Sequence, residues 1–360
     1  MPTTSEFLHY CIKKSTRQTY TSALCGYIRM TLDVAAAKDN LDEVWNTYLS
    51  SGRNIRQDLQ LFPEKCKTHG LSPKTINLYL QVALLYLKEC GFTVDAAQLR
   101  RLRKIRPKNR PITRETELTR ETIRTILSCA DVRLRAEILI AASSGMRIGE
   151  ILQITFDDIN LTVSPAEIYI PAHITKNETS RTTFISSEAA VALQEWVTLR
   201  NSHPTLKGKN PEQDKRLFPY SATNETTKLK RSLRLSGAYH TDPQTKRSRI
   251  HFHSFRKFFL TEFKLAASSE VAEELAGHTG YLSASYRRLS KPDMQKEYRK
   301  AEPRLTIGAI AADTGSRPHP PHPAHLRLEM QRLTTELEQI QTEYQLLCAR
   351  LITEAAGREG

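Results

Sequence analysis

Between His253 and Tyr286 the chain gathers side chains suited to phosphate chemistry. The stretch reads His253-Ser-Phe-Arg256, then Glu274-Leu-Ala-Gly-His278, then Tyr286-Arg-Arg. It offers two imidazoles, a guanidinium and a phenol that helical spacing can bring together. A further arginine, Arg147, stands upstream in Ser144-Gly-Met-Arg-Ile-Gly-Glu150. Attack on a phosphodiester piles negative charge on the non-bridging oxygens, and a guanidinium meets that charge with two parallel hydrogen bonds. Arg147 and Arg256 are the candidates. A phenol has a pKa of about 10 and is a weak nucleophile until cations or a base activate it. Tyr286, followed by Arg287 and Arg288, has such cations beside it. Lys176 could protonate a leaving sugar oxygen if nearby positive charge depresses its pKa. His253 and His278 could share proton transfer or hydrogen-bond a phosphate oxygen. Taken singly, each has a plainer reading: a surface arginine, a core tyrosine, a structural histidine.

The elements that must position these groups follow from periodicity and capping. Residues 1–99 read as an all-helical unit, a four-helix bundle, in which Ser15, Asp42 and Ser72 start helices and Gly70 and Gly91 stop them. The helix from Ile76 to Leu87 is apolar nearly all round and is the expected spine. Residues 100–117 read as a basic linker. Arg100, Arg101, Arg103, Lys104, Arg106, Lys108 and Arg110 place seven positive charges in eleven residues with no acid among them. Mutual repulsion predicts an extended strap that fits along a phosphate backbone. Residues 118–309 form the expected second domain. Helices run from Thr119 and Asp131, Gly145 breaks the second, and Arg147 and Glu150 fall in the first turn of the next. The runs 167–171 and 181–186 alternate as a β-hairpin, with Lys176 beside the turn. Helices then begin near Ser187, Lys228, Ile250, Ser269 and Pro292, with a further one carrying Tyr286.

Residues 310–325 form a linker in which Pro318, Pro320, Pro321 and Pro323 forbid a helix. His319, His322 and His325 lie in it without further ligands, and no metal site is expected. Residues 326–352 carry Leu326, Met330, Leu333, Leu337, Ile340, Tyr344, Leu347 and Leu351, the alternating spacing of a coiled coil. The fold class expected is thus mainly α with a small β-hairpin, in two domains, with a coiled-coil tail that favours self-association.

Fifty-three Lys and Arg against 39 Asp and Glu leave a net charge of +14. Such a field favours a polyanion, through neutralised phosphates and released counterions. The six cysteines are scattered without zinc-like spacing, as in reduced thiols. No apolar run reaches the length of a membrane span, and Met-Pro-Thr-Thr-Ser-Glu lacks the regions of a signal peptide. A cytoplasmic protein, associated with the nucleoid when bound to DNA, is expected.

The order and spacing of these pieces resemble the tyrosine recombinases, the integrase group of site-specific DNA recombinases. The boxes are Ser144-Gly-Met-Arg147-Ile-Gly-Glu150-Ile-Leu, Thr175-Lys176, His253-Ser-Phe-Arg256-Lys-Phe-Phe and Leu275-Ala-Gly-His278 leading to Tyr286. The phrases from His253 to Thr261 and from Glu297 to Ile307 look most like integrases of archaeal cells and their mobile elements. The resemblance implies a helical core-binding domain, a catalytic domain and a metal-free, ATP-free reaction on double-stranded DNA. It implies that Arg147 and Arg256 clamp the scissile phosphate, that His253 assists proton transfer and that Lys176 acts as general acid. It further implies that His278 holds a phosphate oxygen, that Tyr286 forms a 3′-phosphotyrosyl link and that Glu150 buttresses the site. Tetramers on paired sites are implied as well. Tyr286 stands one residue closer to His278 than is commoner in the family, which leaves Tyr281 and Tyr298 as rivals. A type IB topoisomerase would use a similar residue set, and a catalytically silent DNA-binding relative is the other alternative.

Overall fold

Aromatic side chains hold the first unit together. The computed structural model describes residues 2–110, 113–202, 214–278 and 289–308. The described chain forms two units, one of residues 2–114 with Asp242–Arg247, the other of residues 115–241 and 248–308. The first contains α1 (Thr4–His9), α2 (Lys14–Leu32), α3 (Leu41–Ser50), α4 (Ile55–Thr68), α5 (Pro73–Glu89) and α6 (Ala96–Ile105). Trp45 and Tyr86 meet edge to face at 4.9 Å between ring centroids, and Tyr27 lies 4.8 Å from Phe62. Such geometries add about 0.5–1.5 kcal/mol to the area the rings bury. A buried carboxylate serves their edge: Tyr48 donates to Asp58 at 3.2 Å, and Arg53 grips the same carboxylate through Nε and Nη2.

Two expectations for this unit are corrected. It has six helices among the described residues, not four. The strap is not extended from Arg100, because α6 carries Arg100, Arg101, Arg103 and Lys104 on a helix. The Asp95 side chain accepts from the Gln98 amide and the Gln98 side chain returns the bond, closing a capping box. Leu102 is buried among the aromatic core while those four cations stay exposed. One buried leucine and a good cap therefore outweigh like-charge repulsion that solvent screens. Helix ends also move slightly. Lys13, not Ser15, stands at the start of α2, and Asp42 accepts hydrogen bonds from Thr4 and Ser5 instead of capping α3. Ser72 caps α5 as its sequence predicts, with Pro73 in the first turn.

In the second unit, α7 (Arg120–Ser128) and α8 (Val132–Ser144) lead into a short α9 (Ile148–Ile151). Strands β1 (Ile159–Asn160), β2 (Ala166–Ile170) and β3 (Arg181–Ile185) form an antiparallel sheet in that order. β2 pairs with β3 through Ile168↔Thr183 and Glu167↔Phe184, and Ala166, Ile168 and Ile170 face the core. β1 extends the expected hairpin to three strands. Then come α10 (Ser187–Arg200), α11 (Ala222–Leu235), α12 (Phe252–Ala266), α13 (Ser269–Ala276) and α14 (Lys291–Leu305). α8 is the central rod, buried almost all round and packed by α10, α12 and β3. A second apolar cluster joins Phe184, Phe259, Phe263, Leu275 and Tyr298, and so fixes β3, α12, α13 and α14 together. Tyr286, the Pro- and His-bearing linker and the heptads of 326–352 lie outside the described residues.

Candidate active site

The site is built on the end of α8. The last four carbonyls of a helix have no donor within it. Here three successive carbonyls at that end are taken by side chains from three other elements. Tyr298 of α14 donates to Ser143 O at 2.8 Å, Thr183 of β3 to Ser144 O at 3.0 Å, and Arg256 of α12 to Gly145 O at 2.5 Å. Gly145 closes the helix at φ 67°, in the left-handed region, and a Cβ there would stand 2.4 Å from the Phe259 ring. Both conformation and space demand glycine.

From that turn the chain delivers Arg147 to the start of α9. Glu150 Oε2 accepts from the Arg147 backbone amide at 2.9 Å, and Oε1 accepts from Arg147 Nη1 at 2.9 Å. Glu150 is buried, and burial alone would raise its pKa. The hydrogen bonds and charge of Arg181, then those of Arg147, hold it below the ordinary carboxylate value instead. Glu150 is therefore an anion that orients two guanidinium groups.

Arg256 is wholly buried on α12. Its Nη1 is bound to Gly145, while Nε and Nη2 have no hydrogen-bond partner among the described residues. Burial, followed by the charge of Arg147, lowers its pKa to about 10. A buried cation with two unspent donors is costly unless an anion completes it. One turn earlier His253 is exposed, with its ring 6.2 Å from that of His251. Partial desolvation, then the charges of Arg256, His251 and Lys257, lower its pKa and favour the neutral imidazole that a proton acceptor requires.

The hairpin and α13 enclose a cavity with Arg147. It is lined by Thr175, Thr179, Arg181, Gly277 and His278, with Asn177, Ser180 and Glu274 completing the wall. Thr175 Oγ1 donates to Ala172 O and accepts from the Thr179 amide, pinning the turn that carries exposed Lys176. His278 follows Gly277 (φ 70°) at the end of α13, and its Nδ1 lies 2.5 Å from Glu273 Oε2. Lys264 holds the other oxygen of Glu273. That contact fixes the ring and leaves Nε2 as the nitrogen available to a ligand.

The structure thus brings Arg147 and His278 to one cavity, with Glu150 buried behind it against Arg147 and Arg181. Arg256 joins them through the Gly145 carbonyl, while Lys176 and His253 stand outside the cavity lining. Tyr286 and Tyr281 fall outside the described residues. Tyr298 is buried, and desolvation drives its hydroxyl pKa far above the ordinary phenol value. A phenol so placed serves a structural hydrogen bond to Ser143 O and is poorly suited to attack on a phosphate. Sequence reasoning missed Arg181 and Glu273. Arg181 reads in sequence only as the charged first residue of a strand. The spacing of Glu273 and His278, across a glycine-terminated helix, was a legible signal. Among the described residues, no helix is long and apolar enough to cross a membrane.

The model of the phage integrase family matches residues 115–301. No curated protein matches the sequence. Among solved structures, a lambda integrase (75–356) dimer bound to a COC′ core site is similar. It is 17% identical, with a TM-score of 0.52, over 85% of this chain and 94% of that one. The Tn1549 transposon integrase (82–397) in complex with circular intermediate DNA is 16% identical, with a TM-score of 0.48, over 77% and 98% of the two chains. XerH site-specific recombinase bound to difH substrate is 18% identical, with a TM-score of 0.45, over 79% and 77%. At these identities the first of the three is a likeness of fold.

Proposed function

The chain belongs to the phage integrase family, and from that premise we propose that it is a tyrosine site-specific DNA recombinase. The observation that carries the proposal is Arg256, buried beside Arg147 with two guanidinium donors unspent. A scissile phosphate completes that set. Its non-bridging oxygens would accept from Arg147 and Arg256, and His278 Nε2 would supply a further donor when the ring is protonated, because Nδ1–H is spent on Glu273. Tyr286 Oη would attack phosphorus as the bond from phosphorus to the 5′ oxygen breaks. The phenolic proton would pass to a base, for which neutral His253 is suited, and Lys176 would protonate the departing oxygen. The phosphodiester becomes a 3′-phosphotyrosyl ester of similar energy. Reversal by another strand's 5′ hydroxyl then needs neither ATP nor a metal. Glu150 touches no substrate in this scheme and keeps the arginines aimed.

Double-stranded DNA is the partner. The exposed cations of α6 (Arg100, Arg101, Arg103 and Lys104), with Arg106, Lys108 and Arg110 beyond it, are suited to phosphate contacts that give affinity without reading sequence. Lambda integrase has been solved as a dimer on a core site and as a tetramer on a Holliday junction. We carry over the same mode of assembly here, in the service of integrating or excising a mobile element.

The test separates recombination from relaxation. A duplex site is first selected from a randomised pool by retention of DNA on the protein. Two copies of it on separate DNAs should then be joined, while a supercoiled plasmid lacking the site keeps its superhelicity. Relaxation of any plasmid without joining would mark a topoisomerase. Binding with neither outcome would mark a silent relative.

A further inference from the structure

Arg181, the first residue of β3, is partnered on all three guanidinium nitrogens. Nε donates to the Leu275 carbonyl at 3.0 Å, Nη1 to Glu150 Oε1 at 3.2 Å and Nη2 to Glu150 Oε2 at 2.7 Å. Its side chain is 7% exposed. A Cβ on Gly277 would approach the Arg181 Cζ to 2.8 Å, so the turn before His278 rests directly on the guanidinium plane. Three segments distant in sequence therefore meet on one side chain: α9 through Glu150, the hairpin through β3 itself, and the end of α13 through Leu275 and Gly277.

We infer that Arg181 is a positioning residue that fixes Arg147, the Lys176 turn and His278 in one register by clamping Glu150 to the carbonyl end of α13. The inference rests on the recombinase reading for its catalytic consequence, though the clamp itself is a statement about the fold. The planar fork matters, because one ammonium cannot meet both carboxylate oxygens and a carbonyl in those directions. Arg181 also neutralises Glu150. Without it the buried carboxylate keeps, among the described residues, only Arg147 as a cationic partner in direct contact. Glu150 then takes up a proton more readily, and its hold on Arg147 weakens as pH falls. Misplacement of catalytic groups by an ångström can cost about a hundredfold in rate.

The experiment compares wild type, Arg181→Ala and Arg181→Lys on the captured site, presented as a nicked duplex that traps the covalent adduct. We expect Arg181→Ala to bind this duplex within about twofold of wild type, yet to form adduct about a hundredfold more slowly. The deficit should widen as pH is lowered, and Arg181→Lys should recover part of the rate by restoring charge without the fork. Adduct formation by Arg181→Ala at the wild-type rate, or a deficit that does not vary with pH, would overturn the inference. Amide hydrogen exchange of Leu275, Gly277 and His278 is read on the same proteins without DNA. Exchange should quicken at least about tenfold in Arg181→Ala as the clamp opens; unchanged protection would also overturn it. A wild-type protein that forms no adduct refutes the recombinase reading, and exchange still decides whether the clamp exists. Should Arg181→Ala fail to fold, Arg181→Lys supports both comparisons.

Discussion

Tyr298 and Arg256 show how the meaning of a side chain depends on what it finds when the chain folds. Both are buried polar groups directed at the end of α8. Tyr298 spends its single donor on Ser143 O, whereas Arg256 spends one nitrogen and keeps two. The first is therefore a strut, and the second is the group we propose to receive the phosphate. Tyr298→Phe would leave the Ser143 carbonyl without its donor in a dry site, a loss of about 1–3 kcal/mol. Denaturant unfolding should register that loss, while covalent capture of DNA persists in the folded fraction. A variant of undiminished stability that no longer captures DNA would return Tyr298 to the chemistry.

Much of the residue-scale site was legible in sequence because its signals are local. Gly145 ends a helix, Arg147 and Glu150 are one turn apart, and Gly277 precedes His278. Capping rules and the helical period describe such relations without tertiary information. Arg181 was not legible, since its role exists only when β3, α9 and α13 come together. Lys176 and His253 were legible as chemistry but not as placement: the structure leaves both exposed and outside the cavity wall.

Among the elements, α8 carries the heaviest demands. Its length was readable from Asp131 and Gly145, but its burial on nearly every face was not, because Arg133 and Glu137 make its sequence look amphipathic. In the folded unit Glu137 is fully buried beside Glu225, and Arg133 pairs with Glu225 at 3.0 Å. Burial first, then the Glu225 carboxylate, raise the Glu137 pKa well above the ordinary value, with Arg133 and Lys228 opposing. The folded state thus holds a proton that the unfolded chain releases near its normal pKa. Stability from this site is full below that unfolded value and is lost as pH rises toward the folded one. Glu150 acts with the opposite sign. Its lowered pKa contributes stability above the unfolded value and loses it as pH falls. Glu137→Gln should therefore raise the stability of the second unit at neutral pH. It should also remove a slope of up to about 1.4 kcal/mol per pH unit on the alkaline side of the ordinary carboxyl range. Unfolding curves taken across that range will show it; an unchanged slope would mean that Glu137 is ionised in the fold. α6 gives the complementary lesson. Charge density predicted an extended strap, while Leu102 and the Asp95–Gln98 capping box carried the helical signal that prevailed.

For the whole molecule, the net charge of +14 and the aligned boxes point to one polyanionic partner. The helical first unit presents a row of cations on α6, and the second holds an arginine-rich site organised by Glu150. We propose that this site performs a covalent step on DNA through Tyr286, and peptide mapping can locate the linkage. The adduct trapped on the nicked selected duplex is digested with protease and nuclease, and the nucleotide-bearing peptide is sequenced by mass spectrometry. The proposal predicts a single modified residue, Tyr286, and loss of the adduct in Tyr286→Phe with DNA binding retained. A nucleotide on Tyr281 or Tyr298, or an undiminished adduct in Tyr286→Phe, would contradict it.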